Sequence, residues 1–240
     1  DYSLFRAIGV SLFHSVASFN NAGFDIFGGG QSMVPYADNI FLNIITCVLI
    51  FFGGIGFLVI QELWQKKCQW KKLSMHTKVV LSVSLTLIII GTLLIKLTEP
   101  VSWLCALFHS VSTRTAGFAS RPIGDFGAPA LLVMIVLMFI GACAGSTGGG
   151  MKVSRIVILF KTVGKELHSY IHPKSIQKVK FEKKPVEHEV LRATNVYFIT
   201  YMIVFAVSTF LISFEEKDLV TTFTSVATTL NNVGPGLEKV

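Results

Sequence analysis

The sequence predicts an all-α integral membrane protein built from repeated units, each combining long apolar spans with a short apolar segment and a loop of small residues. Of its 240 residues, 52% are hydrophobic and only 15% are charged, with a mean hydropathy of +0.63. A soluble domain has about 25% charged residues. Because a helix needs about 20 apolar residues to cross a bilayer, we expect uninterrupted spans at 40–60, 77–97 and 196–214, and an interrupted one at 128–160.

The basic residues are confined largely to two of the loops between these spans. The stretches 66–78 and 161–192 hold most of the lysines, whereas the loops on the opposite side carry few charges. Lysine-rich loops of membrane proteins face the cytoplasm, so we place both stretches there. This distribution accounts for the net charge of +7 without a polyanionic partner, and we expect no nucleic-acid binding.

A short apolar segment occurs twice with the same five residues, Leu-Phe-His-Ser-Val, at 12–16 and 107–111. Each copy is followed by Ala-Gly-Phe, and a weaker third copy leads to the double asparagine at 231–232, which matches the one at 20–21. Such repetition indicates a repeated structural unit. The segments are too short to cross a bilayer, so each must enter and leave on one face. We therefore predict re-entrant helices, each followed by a loop with one central glycine.

These loops have the composition of a binding site for a monovalent cation. The carboxyl end of a re-entrant helix carries a partial negative charge, and the carbonyls of the following loop can replace an ion's hydration shell. A divalent site usually contains carboxylates, and none lies in the three loop cores. The predicted ion-binding residues, which act through their backbone oxygens, are Asn21, Ala22, Gly23, Thr115, Ala116, Gly117, Asn232, Val233 and Gly234.

The interrupted segment contains four glycines between Gly145 and Gly150. Irregular backbone at membrane depth persists only where it is buried in protein or lines an aqueous cavity. We interpret the stretch as a gate, with close helix packing as the alternative. The span 40–60 has glycines but no polar interruption, so we expect this obstruction in one unit only. The predicted gate residues are Gly145, Ser146, Thr147, Gly148, Gly149, Gly150 and Lys152.

Four motifs in this order resemble the Trk/Ktr/HKT superfamily of potassium transporters, most closely its bacterial Trk membrane subunits. They are NNAGF at 20–24, RTAGF at 114–118, GSTGGGMK at 145–152 and NNVGPG at 231–236. The resemblance implies four units arranged pseudo-fourfold around a pore. It assigns 1–65 to the second pore unit, 66–163 to the third, 164–192 to a cytosolic basic segment and 193–240 to a truncated fourth. The first unit and the last span would then belong to a longer protein.

The resemblance also implies the activity and the partners. We expect potassium uptake across the bacterial inner membrane, with potassium as the substrate at the filter backbone and no cofactor in this chain. Membrane lipid, a second copy in a homodimer and a cytosolic nucleotide-binding regulatory subunit are the expected partners, the last of these contacting 161–192. The alternative is a proton- or sodium-coupled secondary cation transporter with broken helices. The sequence does not decide between potassium and sodium selectivity or between a channel and a symporter. It also does not identify the regulating nucleotide.

Each of the remaining polar residues has a structural and a functional interpretation. An enzyme is not expected, because the sequence has no HExxH motif and the spans contain no paired acids. His14 and His109 recur in register, either as polar ties or as a proton relay or metal pair. Arg114 either braces its loop or repels excess cations, and Lys152 is either a latch at the gate or a cation that reaches the cytosol.

Overall fold

The computed structural model describes residues 3–28, 30–172, 180–181, 184–215 and 218–234. Part of the predicted basic segment and the end of the last motif, Pro235 and Gly236, lie outside these residues. The α-helices that it describes are α1 Leu4–Phe19, α2 Ile40–Ile55, α3 Phe57–Gln65, α4 Met75–Thr98, α5 Trp103–Ser112, α6 Ala128–Phe139, α7 Val153–Ile171, α8 His188–Ser213 and α9 Leu219–Leu230. Two short strands, β1 Lys180–Phe181 and β2 Lys184–Pro185, pair antiparallel.

Several helices begin where a polar side chain caps the first turn. Ser74 accepts a hydrogen bond from the Thr77 amide at the start of α4, and Ser102 accepts one from the Cys105 amide at the start of α5. Asn39 and Asp218 cap α2 and α9 in the same way. Each cap pairs one of the backbone amides that a helix leaves free at its amino end.

Among the described residues, two helices are long and apolar enough to cross a membrane, α4 with 24 residues and α8 with 26. The pair α2 and α3 passes the same test only together, and the two are bent by 97° at Gly56. The prediction of one uninterrupted span at 40–60 is therefore wrong. The bend arises because another part of the chain takes the hydrogen bonds that a continuous helix would make, as shown below.

The short helices α1, α5 and α9 are packed against α2, α4 and α8, respectively. Ser110 of α5 donates a hydrogen bond to the carbonyl of Ile88 in α4, at 2.9 Å. In α1, His14 Nε2 and Thr46 Oγ1 of α2 are hydrogen-bonded at 2.9 Å, and Tyr201 of α8 donates to Asn231 at the end of α9. These contacts hold the carboxyl end of each short helix in a defined place.

One cluster of buried residues lies where α1 and α5 meet α2. Phe108 and Ala116 are fully buried there, packed with Ile50 of α2 and Ala17 of α1. By contrast, many large apolar side chains of α4 and α8 are exposed. A helix with an apolar exterior is stable where lipid covers that surface, which agrees with the membrane class that the sequence predicts.

Candidate ion pathway and glycine-rich segment

Three loops follow the short helices, and we call them L1 (20–24), L2 (113–118) and L3 (231–234). In each loop a non-glycine residue with positive φ is followed two positions later by a glycine with positive φ. The pairs are Asn21 (51°) with Gly23 (65°), Thr115 (80°) with Gly117 (78°), and Asn232 (57°) with Gly234 (102°). The three loops that repeat in the sequence therefore also repeat in backbone conformation.

Helices α1 and α9 end in the same hydrogen-bonding pattern. At the end of α1, the amide of Ala22 donates to the carbonyl of Ala17 at 2.9 Å, and the amide of Asn21 donates to that of Ser18 at 3.2 Å. At the end of α9, the amides of Val233 and Asn232 donate to Thr228 and Thr229. This is the Schellman ending, which needs a left-handed residue that is usually glycine and sometimes asparagine.

The double asparagine therefore has two separate uses. The second asparagine of each pair adopts the left-handed conformation, and the first ties its side chain to the helix. Asn231 Nδ2 donates to the carbonyl of Ala227 at 2.7 Å, and Asn20 Nδ2 donates to that of Val16 at 2.9 Å. The sequence shows the two pairs of asparagines but does not predict this division of roles.

L2 reaches a similar conformation without asparagine. The amides of Ala116 and Gly117 both donate to the carbonyl of Ser112, at 2.8 and 3.2 Å, and the Ser112 hydroxyl donates to the carbonyl of Phe118. L2 also touches L1, because a Cβ added at Gly23 would lie 2.5 Å from the carbonyl oxygen of Ala116. Neighbouring loops thus pack backbone against backbone.

The glycine-rich segment, residues 141–152, contacts all three loops. A Cβ added at Gly148 would lie 2.3 Å from Thr115 Oγ1 and 3.0 Å from the side-chain amide group of Asn21. One added at Gly149 would lie 2.5 Å from the carbonyl oxygen of Asn231. Any side chain at these two positions would therefore displace either the segment or the loops, which explains why consecutive glycines occur here.

The segment doubles back on itself. The amide of Ala142 donates to the carbonyl of Gly149 at 3.2 Å, and the amide of Met151 donates to that of Phe139 at 3.3 Å. Lys152, the residue before α7, donates from Nζ to the carbonyl of Gly148 at 2.6 Å. Its charge is thus directed into the segment, which favours the latch interpretation over one in which the lysine reaches the cytosol.

The segment is also bonded to the bend between α2 and α3. The amide of Cys143 donates to the carbonyl of Gly54 at 2.9 Å, and the amide of Thr147 donates to that of Gly53 at 3.3 Å. In return, the amide of Phe57 donates to the carbonyl of Gly145 at 3.0 Å. In a continuous helix the carbonyl of Gly53 would accept from the amide of Phe57. The segment therefore replaces the helical bonds that the bend removes.

The sequence did not predict that the glycine-rich segment binds at the bend between α2 and α3. The only signal for it was the cluster of glycines at 53, 54 and 56, which we interpreted as part of an unbroken span. Predicting the contact would have required pairing the glycines at 53–56 with the glycine-rich segment at 141–152. Nothing in the spacing of these two stretches indicates that residue 54 contacts residue 143.

The two histidines of the repeat have different surroundings. His14 is tied to Thr46 and also lies 3.4 Å from Ser18 Oγ. Both ring nitrogens of His109 are buried without a hydrogen-bond partner, and its ring packs 4.8 Å from that of Phe126. Within the described residues, no group of three or more histidine, cysteine or acidic side chains could hold a metal ion. For His14, the contacts favour the polar tie.

Comparison with known proteins agrees with this architecture. The family profile TrkH, described as "Cation transport protein", matches residues 3–99 and 73–238. The Trk system potassium uptake protein TrkH of Escherichia coli (strain K12) is 32% identical over 242 residues, which cover 97% of this chain and 48% of that protein. The Ktr system potassium uptake protein B of Vibrio alginolyticus is 42% identical over 166 residues, which cover 62% of this chain and 35% of that protein.

A solved structure shows the same fold. The potassium transporter TrkH from Vibrio parahaemolyticus matches with a TM-score of 0.82 and 29% identity, over 94% of this chain and 50% of that one. The chain therefore spans half or less of the length of these proteins. The predicted helical membrane fold and the predicted resemblance are both confirmed. On the strength of the profile match and of these relatives, the chain belongs to the TrkH family of cation transport proteins.

Proposed function

We propose that this chain forms part of a potassium uptake pore of the bacterial inner membrane, with L1, L2 and L3 as three sides of its selectivity filter. The observation that carries the proposal is the backbone conformation that the three loops share. The names of its relatives, which are potassium uptake proteins, support potassium as the substrate. Residues 1–65, 66–163 and 193–240 would be three of four units around the pore, with 164–192 as the cytosolic segment.

Ion binding in this proposal uses backbone oxygens. Each of α1, α5 and α9 ends at its loop, so the negative end of each helix lies where a cation would be held. The carbonyls of residues 21–23, 115–117 and 232–234 would then replace the water around a dehydrated potassium ion. Transport of the ion through such a site requires no cofactor from this chain.

The gate in this proposal is the stretch from Gly145 to Gly150, together with Lys152. Gly148 and Gly149 lie directly against the three loops, so an ion leaving the filter would meet the backbone of this stretch. The bond from Lys152 to Gly148 stabilises the obstructing conformation. Opening would require the segment to leave both the loops and the bend between α2 and α3.

We also infer the surroundings of the pore. The exposed apolar sides of α4 and α8 fit membrane lipid. Helix α7 begins at Val153, directly after the gate, and carries Lys161 and Lys165 toward the basic segment. A nucleotide-binding cytosolic subunit that holds α7 and the segment would act on the gate through a rigid helix. A homodimer of the whole protein completes the proposed assembly.

The test is rubidium flux into vesicles that contain the whole protein. We compare the unaltered protein with Gly117→Ser, because a serine at φ 78° is strained by about 1–2 kcal/mol, enough to lower flux or potassium selectivity about tenfold. Gly124→Ser is the matched control, since a Cβ at Gly124 meets nothing within 4 Å. A protein without the stretch 146–149 is expected to show raised flux.

Three results would refute the proposal: no flux from the unaltered protein, unchanged flux and selectivity after Gly117→Ser, or flux that stays level or falls when the gate is shortened. Flux that depends on a proton or sodium gradient would favour the coupled transporter instead.

A further inference from the structure

Arg114 is a buried cation at the junction of α5, L2 and the glycine-rich segment. Only 8% of its surface is exposed. It donates from Nη2 to the carbonyl of Gly141 at 3.2 Å and from Nη1 to that of Ser84 in α4 at 3.4 Å. Gly141 is the first residue of the glycine-rich segment, and Arg114 directly precedes Thr115 of L2. One side chain therefore connects a filter loop with the start of the glycine-rich segment that contains the gate.

The charge of Arg114 is not neutralised by an acid. Among the residues that the structure describes, no carboxylate forms an ion pair with it, and its Nε has no hydrogen-bond partner. Burying an unpaired guanidinium is strongly unfavourable, so a neutral donor would brace the loop at lower cost. In the register of the loops, in which Gly23 and Gly234 match Gly117, the residue that matches Arg114 is the neutral Asn20 in L1 and the neutral Asn231 in L3. The cation is thus found in the unit that carries the gate.

A small cavity lies beside this connection. Its lining includes Arg114, Asn21 of L1, Gly54 at the bend and Ala142 of the segment, and its volume is about 20 Å³. That is enough for one water molecule. If the segment moved away, such a water would offer the guanidinium an acceptor in place of the Gly141 carbonyl. The contact between Arg114 and Gly141 can therefore break without leaving the cation entirely unsolvated.

We propose that Arg114 is a positioning residue that couples the selectivity filter to the gate. Its bond to Gly141 holds the gate segment in the closed conformation, and loss of that bond frees L2 as well as the segment. The proposal rests on the proposed function of the loops and the segment. The proposed role differs from a purely structural one. A side chain that only braced L2 would affect the filter whether or not the gate is present.

The experiment measures rubidium flux for Arg114→Lys and Arg114→Gln in the whole protein, with and without residues 146–149. With the full gate, we expect at least a tenfold rise in flux for both variants, because neither side chain reproduces the two planar donors of arginine. With the shortened gate, we expect no further rise, since coupled sites are not additive. Arg121→Lys is the matched control and is expected to behave like the unaltered protein, because Arg121 contacts Asp125 and Phe126, not the gate.

A second measurement does not depend on transport. Cys143 lies in the gate segment and is fully buried. With Cys47, Cys68, Cys105 and any cysteine that the whole protein has outside this chain replaced by serine, the rate at which a water-soluble maleimide labels Cys143 reports opening of the segment. We expect at least tenfold faster labelling in Arg114→Lys than in Arg121→Lys, at an equal melting temperature.

The possible results separate the two proposals. Faster labelling without flux from any protein would refute the potassium pore and support the coupling. Unchanged labelling in a folded Arg114→Lys protein would overturn the coupling, as would an equal change in flux with the full and the shortened gate. If Arg114→Gln does not fold, Arg114→Lys alone decides.

Discussion

Replacing Gly56 with alanine should open the proposed pathway, because it disfavours the bend to which the glycine-rich segment is hydrogen-bonded. Gly56 has φ 95° and ψ 146°, a conformation in which a side chain costs about 1–3 kcal/mol. The added Cβ would also lie 2.7 Å from the carbonyl oxygen of Ala144. In the same direction, a continuous α2–α3 helix would gain about 1 kcal/mol from alanine over glycine.

Together these effects favour the straight helix by about 3 kcal/mol, taking a middle value for the strain. Since about 1.4 kcal/mol corresponds to a factor of ten, the ratio of straight to bent conformations should rise more than a hundredfold. In the straight helix the amide of Phe57 donates to the carbonyl of Gly53. The glycine-rich segment then loses two hydrogen bonds, from Thr147 to Gly53 and from Phe57 to Gly145. We therefore expect at least a tenfold rise in rubidium flux in vesicles of the whole protein.

Gly164→Ala and Gly9→Ala are matched controls. Both glycines lie in helices, and a Cβ at either position meets nothing within 4 Å. Their flux should equal that of the unaltered protein. A Gly56→Ala protein that melts at the normal temperature and shows unchanged or lower flux would refute the coupling between the bend and the gate.

Two further predictions concern the loops and the basic segment. Asn232→Gly should leave the melting temperature of the detergent-solubilised protein nearly unchanged. Asn232→Ala should lower the stability by about 1–2 kcal/mol, because φ is 57° at this position. Equal melting temperatures of the two variants would show that the left-handed ending of α9 is not needed. Deleting 172–187 should abolish nucleotide-dependent regulation of flux, and regulation that survives the deletion would rule out docking on this segment.

Periodicity and the repeat predicted most of the helices. The short apolar segment noted at 107–111 lies within α5, Trp103–Ser112, and the span expected at 77–97 is α4, Met75–Thr98. These elements depend on local sequence, since apolar length and polar caps decide where each helix begins and ends. The break in the interrupted span was also expected, because four glycines in six residues oppose a continuous helix.

The bend at Gly56 depends on partners far away in the chain. A glycine in an apolar run costs a helix about 1 kcal/mol, which three intact hydrogen bonds would outweigh. The helix breaks here because Cys143, Gly145 and Thr147 supply replacement bonds. Residues 40–60 contain the glycines that permit a bend but do not identify these partners, so the sequence predicted a straight span.

The amino-acid sequence by itself determined the membrane class and the three repeated loops, because these follow from apolar length and local backbone preference. Tertiary structure alone decided that one glycine-rich segment touches all three loops, rests in the bend of a neighbouring span and accepts a hydrogen bond from Arg114. Those contacts join residues more than a hundred positions apart in some cases, such as Thr147 and Phe19. They form only when several helices have already brought their backbones within hydrogen-bonding distance.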